Sequence, residues 1–144
     1  MTVASGARRA RRAKKPGNVA RGEHFLALAG VTYLLRPSHE ALIAMEEDID
    51  LSLLELVRKA NVGALKLSEI GIVVAHLIRA GADPDDVVTR NVDPERIGEL
   101  IMEEGLHKAM ARVTVCLIDA ASGGRKSSGE AKAATATTET AGAA

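Results

Sequence analysis

Residues 22–38 read GEHFLALAGVTYLLRPS, and this stretch decides the fold. His24, Leu26 and Leu28 alternate with Glu23, Phe25 and Ala27. After Ala29-Gly30, Val31, Tyr33 and Leu35 alternate with Thr32, Leu34 and Arg36. Successive side chains of a strand point to opposite faces, so each run is a strand with one apolar face, and the second run is partly apolar on both. Two such runs joined by two residues, the second a glycine able to take positive φ, spell a β-hairpin over 22–36. A lone hairpin is marginal in water, so this one must pack on other elements or join a partner's sheet. Pro37 stops the second strand, and Ser38 is placed to cap a helix.

Everything downstream has helical periodicity. In 38–49, Leu42, Met45 and Ile49 form a stripe flanked by Ala41 and Ile43, with Glu46, Glu47 and Asp48 at its end. Asp50 reads as the cap of a helix over 51–61, where Leu53, Leu54, Val57 and Ala60 recur before Asn61-Val62-Gly63 ends it. The helix over 67–80 carries Leu67, Ile70, Val73, Val74, Leu77 and Ile78; as the most apolar element it belongs at the centre. Residues 82–92 form a connector with at most one helical turn. Asp93-Pro94 is a start signal, an Asp cap followed by proline at the first helical position, for a helix over 94–104 carrying Ile97, Leu100 and Ile101. Gly105 separates it from a last helix, 106–121, with Met110, Val113, Leu117 and Ile118. The expected fold class is α+β: an N-terminal β-hairpin followed by a bundle of four to five short α-helices, one globular domain over residues 20–121.

The flanks differ in kind. Residues 1–19 read as a disordered basic arm, and 122–144 as a disordered, low-complexity tail without the large apolar groups that offset ordering entropy. The chain's net charge of +0 hides this asymmetry. Residues 1–22 carry seven cations and no carboxylate, whereas 23–122 carry nine cations and seventeen carboxylates. So acidic a body repels phosphate over a Debye length of roughly 8–10 Å. Nucleic acid is therefore an unlikely partner except through the arm, where Arg8, Arg9, Arg11, Arg12, Lys14 and Lys15 could neutralise phosphates without sequence preference. No aromatic residue interleaves them for base stacking.

Phe25 and Tyr33 are the only Phe, Tyr or Trp residues, so the core must be aliphatic. The single cysteine, Cys116, excludes an intramolecular disulfide and sits within an apolar helical run, as a core residue does. No apolar stretch reaches 18 residues, so no membrane partner is expected, and no apolar segment follows the arginines as in a signal peptide. These features point to the cytoplasm.

Catalytic and metal patterns are missing. His24, His39, His76 and His107 have no zinc-ligand spacing. An EF-hand loop begun at Asp48 places Leu53 at the required glycine and Lys59 at the bidentate glutamate; one begun at Asp83 places Val87 at a ligand position. There is no phosphate-binding glycine loop and no Gly-x-Ser-x-Gly. No catalytic residue, cofactor or metal is expected. What remains is surface for other proteins: a hairpin edge that could accept a strand or self-associate, and an aliphatic groove for an amphipathic helix. Partner contacts are placed on the hairpin, at Tyr33 and Leu35, and around the Gly105 junction, at Leu106 and Met110.

Asn18 through Glu23 entering the first strand, Gly30-Val31-x-Tyr33-x-Leu35-Arg36-Pro37-Ser38 closing the hairpin, Ile43-Ala44-Met45-Glu46, Lys66-Leu67-Ser68-Glu69-Ile70 and Ile101-Met102-Glu103-Glu104-Gly105-Leu106 follow one another in an order that resembles a known family. These are the small tail-assembly proteins of bacteriophages and gene transfer agents, which include tail assembly chaperones and tail tube-associated proteins. The resemblance covers roughly residues 18–121; the basic arm and the Ala/Thr-rich tail depart from it. It implies a non-enzymatic chaperone that binds the tape-measure protein and tail tube subunits during tail morphogenesis in the bacterial host's cytoplasm. The alternatives are a structural component retained in the tail, and a small nucleic-acid-associated protein acting through the arm.

Overall fold

A computed structural model describes residues 23–132. The expected basic arm, and the part of the tail beyond Lys132, lie outside the described residues. Strands β1 (His24–Leu28) and β2 (Val31–Leu35) are followed by helices α1 (His39–Ile49), α2 (Leu53–Asn61), α3 (Leu67–Gly81), α4 (Val87–Arg90), α5 (Pro94–Glu104) and α6 (Leu106–Ala121). The α+β reading holds. The helix beyond the expected four to five is α4, the single turn allowed for in the 82–92 connector, where the Asp86 carboxylate accepts the Thr89 N–H at 3.1 Å.

The strands pair antiparallel with His24 opposite Leu35, Leu26 opposite Tyr33 and Leu28 opposite Val31 on the core face. Phe25 opposite Leu34 and Ala27 opposite Thr32 form the outer face. Both turn residues have positive φ, 50° at Ala29 and 79° at Gly30, as a two-residue type I′ turn demands. Glycine adopts this freely; for alanine the left-handed region costs roughly 1–2 kcal/mol. The Ala29 N–H is held there by the Glu104 carboxylate, at 3.1 Å, from the end of α5.

The Ser38 hydroxyl accepts the Ala41 N–H at 3.1 Å, capping α1. Asp50 does not cap the following helix. It ends α1 in the left-handed region, φ 63°, with its N–H on the Glu46 carbonyl at 2.8 Å. The start of α2 belongs to Ser52, whose hydroxyl accepts the Glu55 N–H while the Glu55 carboxylate accepts the Ser52 N–H at 3.0 Å. This reciprocal box satisfies two otherwise unpaired amides, which a single Asp50 cap could not, so α2 begins at Leu53 rather than 51.

Helix α3 is the centre. Ile70, Val73, Val74, Ala75, Leu77 and Ile78 are fully buried, and α3 touches α1, α4, α5, α6 and β2. Two glycines set its closest approaches. A Cβ on Gly81 would lie 2.2 Å from the Leu34 carbonyl oxygen, and one on Gly71 would lie 2.8 Å from the Pro94 carbonyl oxygen. The strand backbone docks on α3 through Gly81 and through Arg36 N–H to the Leu77 carbonyl, 3.1 Å; α5 crosses α3 at Gly71. Lys59 and Glu69 tie α2 to α3, and the Thr114 hydroxyl ties α6 to the end of α2 at the Ala60 carbonyl.

The tail boundary at 122 needs correction. Residues 122–132 form a compact strap across α6 and the hairpin exit. Arg125 and Ala131 pair in an antiparallel bridge, and Lys132 N–H reaches the Gly124 carbonyl at 3.0 Å. The His39 N–H donates to the Ser127 carbonyl at 2.8 Å. Gly129, φ 92°, lies against Arg36, Pro37 and Ser38 so closely that a Cβ would come within 2.9 Å of all three. The Arg125 side chain is 4% exposed and bonds the Asp119 carboxylate, which also bonds His24 Nε2 at 3.0 Å. Composition missed this because one buried arginine and two close-packed glycine turns replace the large apolar groups whose absence suggested disorder.

Candidate partner-binding surface

Helices α3 and α5 cross at two glycines, and their seam opens outward into a groove of about 500 Å³. Gly71 is the contact. Gly98 faces the other way: a Cβ there would meet nothing within 4 Å. Around it the apolar lining comes from Leu67, Ile72, Pro94 and Met102, with Ser68, Glu95 and Glu99 at the edges. Leu67 and Met102 are 39% and 57% exposed, whereas Ile70 and Ile101, their neighbours on the core faces of the same helices, are fully buried. Each helix therefore has a second apolar edge that the fold leaves in solvent. The N-terminus of α5 is fixed by Asp93, whose carboxylate accepts the Arg96 N–H at 3.3 Å. That of α3 is fixed by the Lys66 N–H on the Glu69 carboxylate, 2.8 Å. Burial raises the Glu69 carboxyl, but bonds from Lys66 and Lys59 outweigh it and hold the group below its ordinary value.

The four residues expected to touch a partner separate by burial. Leu35 is 1% exposed and belongs to the core, which removes it from any contact surface of the folded domain. Tyr33 and Met110 are half-buried against that core. Leu106, 38% exposed just after the Gly105 turn, is accessible. None of the four lines the groove. The arm cations, Arg8 to Lys15, lie outside the described residues. No other described strand pairs with either hairpin edge. On the β2 side, Arg36 and Leu34 are engaged by α3. The reading of the sequence allowed for an aliphatic groove but did not place it here, although glycines inside two amphipathic helices signal a close crossing.

A second cluster has chemistry-bearing residues but serves packing. Burial pushes the Cys116 thiol up to about 12, with Arg125 and Asp119 nearby contributing opposite smaller effects. The thiol is therefore protonated at neutral pH and not poised as a nucleophile. Burial also raises the Asp119 carboxyl, but bonds from Arg125 and His24 prevail and hold it below its ordinary value. Among the described residues no group of three or more His, Cys, Asp or Glu is arranged to hold a metal ion, and no helix is long and apolar enough to cross a membrane.

A family model described as phage tail tube protein, GTA-gp10, matches residues 21–101, more than half of the chain. The match runs from the entry to β1 to Ile101 in α5 and contains every groove-lining residue except Met102. Comparisons with curated proteins and with solved structures return no match.

Proposed function

The chain belongs to the phage tail tube protein GTA-gp10 family, and on that premise we propose that it serves tail morphogenesis by holding another tail polypeptide, as an assembly chaperone for the tape-measure protein and tube subunits. In this reading it performs no bond chemistry and works in the cytoplasm of the bacterial host. The observation that carries the reading is the exposed aliphatic edge shared by α3 and α5 on an otherwise acidic body. A tape measure is a long helical chain whose apolar stripes need cover until the tube encloses it. A groove lined by aliphatic side chains, with no aromatic residue among them, can cover such stripes and still let go, because the strongest interface anchors are mostly Trp, Tyr and Arg.

The family's own description favours a second reading, in which the protein is built into the tail as a tube-associated component. Two measurements separate them. Co-expression with the tape-measure protein should raise that partner's soluble fraction and yield a complex on purification; no complex under any condition ends the chaperone reading. Mass spectrometry of purified particles should find this protein absent or far below tube-subunit stoichiometry. Stoichiometric amounts would establish the structural reading instead.

A further inference from the structure

We infer that the α3–α5 groove receives a two-turn segment of partner helix whose aliphatic stripe is flanked by lysine or arginine on the side facing α5. The inference rests on the reading that the chain holds another tail polypeptide, and adds the place and the chemistry of the held segment. The lining spans Pro94 to Met102 along α5, nine residues and roughly 12 Å at 1.5 Å per residue. That length matches apolar side chains at positions i, i+3 or i+4, and i+7 of an opposing helix.

The groove is framed rather than collapsible. Beside it the Gly71 crossing is already too tight for a Cβ, and at Gly98, which lines the groove, a Cβ has nothing to touch. Charge chooses the flank. Glu95 and Glu99 stand at the α5 edge, and Glu103 continues their row at the same four-residue spacing. Arg96 bonds Glu99 at 2.8 Å, but both side chains are more than half exposed, and such a pair contributes only about 0–1 kcal/mol. A partner cation can replace it.

Two other occupants fit less well. Residues 1–22 of this chain carry the right charge, but Met1, Val3 and Val19 are their only large apolar residues, too few and too scattered for the stripe. The folded body of a second copy, residues 23–122, would bring its own excess of carboxylates against the acidic wall.

The test uses the full chain co-expressed with the tape-measure protein, with a photo-reactive phenylalanine analogue in place of Met102 or, as a control elsewhere on the surface, of the 74% exposed Val62. Co-purification is read first, then cross-links are mapped by mass spectrometry. Position 102 should cross-link at least about tenfold more than position 62, to aliphatic-striped segments with Lys or Arg on one flank, and Gly98→Leu should reduce complex yield about tenfold. Met102→Asp, on an exposed side chain that leaves the fold intact, should do the same. Co-purification with cross-links only from position 62, with acid-flanked segments, with residues 1–22 or with a second copy overturns the groove assignment and leaves the holding function standing. Absence of co-purification overturns both.

Discussion

At the scale of single residues, three non-polar positions show how backbone geometry outranks side-chain chemistry. Gly71 and Gly98 both lie in helix interiors, where glycine is normally unfavourable by about 1 kcal/mol relative to alanine. Gly71→Ala should nevertheless destabilise the protein by about 1–3 kcal/mol, because its methyl would sit 2.8 Å from the Pro94 carbonyl oxygen. Gly98→Ala should be neutral or stabilising, since the space is open; thermal melts of the two variants check the contrast. Ala29 is the third. With φ at 50°, Ala29→Asn fits the type I′ turn better and should add about 0.5–1 kcal/mol, a rise of several degrees in Tm. The hairpin, its two-residue turn and the freedom of Gly30 could be read from the sequence. The left-handed Ala29 could not, because what holds it is Glu104, 75 residues away.

At the scale of elements, helix periodicity was strong enough to place α1, α3, α5 and α6 within a residue or so, because each hides an aliphatic stripe against one centre. Where the competing signals were local hydrogen bonds, the better-satisfied one prevailed, as with Ser52 over Asp50 at the start of α2. The strap was illegible because its order comes from contacts distant in sequence: Arg125 on Asp119, Ser127 on His39, Gly129 under Arg36. Ending the chain at Ala121 should therefore cost about 1 kcal/mol or more and lower Tm by about 4–8 °C relative to a chain ending at Lys132; melting curves of the two decide. The strap should also respond to acid. Asp119 has a lowered folded value, so its stabilising contribution is complete above the ordinary carboxyl value of 3.8 and fades as pH falls through the lowered one. Labelling of buried Cys116 by a dipyridyl disulfide should speed up over that window in the wild type. In Asp119→Asn it should be faster at neutral pH and lose the acid-dependent step.

At the scale of the whole molecule, charge and family extent frame the function. The body's carboxylate excess means that a chain beginning at Glu23 should pass through a heparin column unretained at about 0.15 M salt, where exposed charges are screened beyond roughly 8 Å. Retention of that shortened chain would show a cationic face that the distribution of charges does not suggest. The family match stops at Ile101, yet Ala109, Val113, Cys116 and Leu117 of α6 complete the same core, so the unit that folds extends past the unit that matches. The strap has a mechanical consequence as well. Glu23 pairs with Arg36, beneath Gly129, while His24 and Arg125 share Asp119, so both ends of the described chain leave from one pole of the body. Tension pulled between those ends would load that small polar knot before it reached the helices.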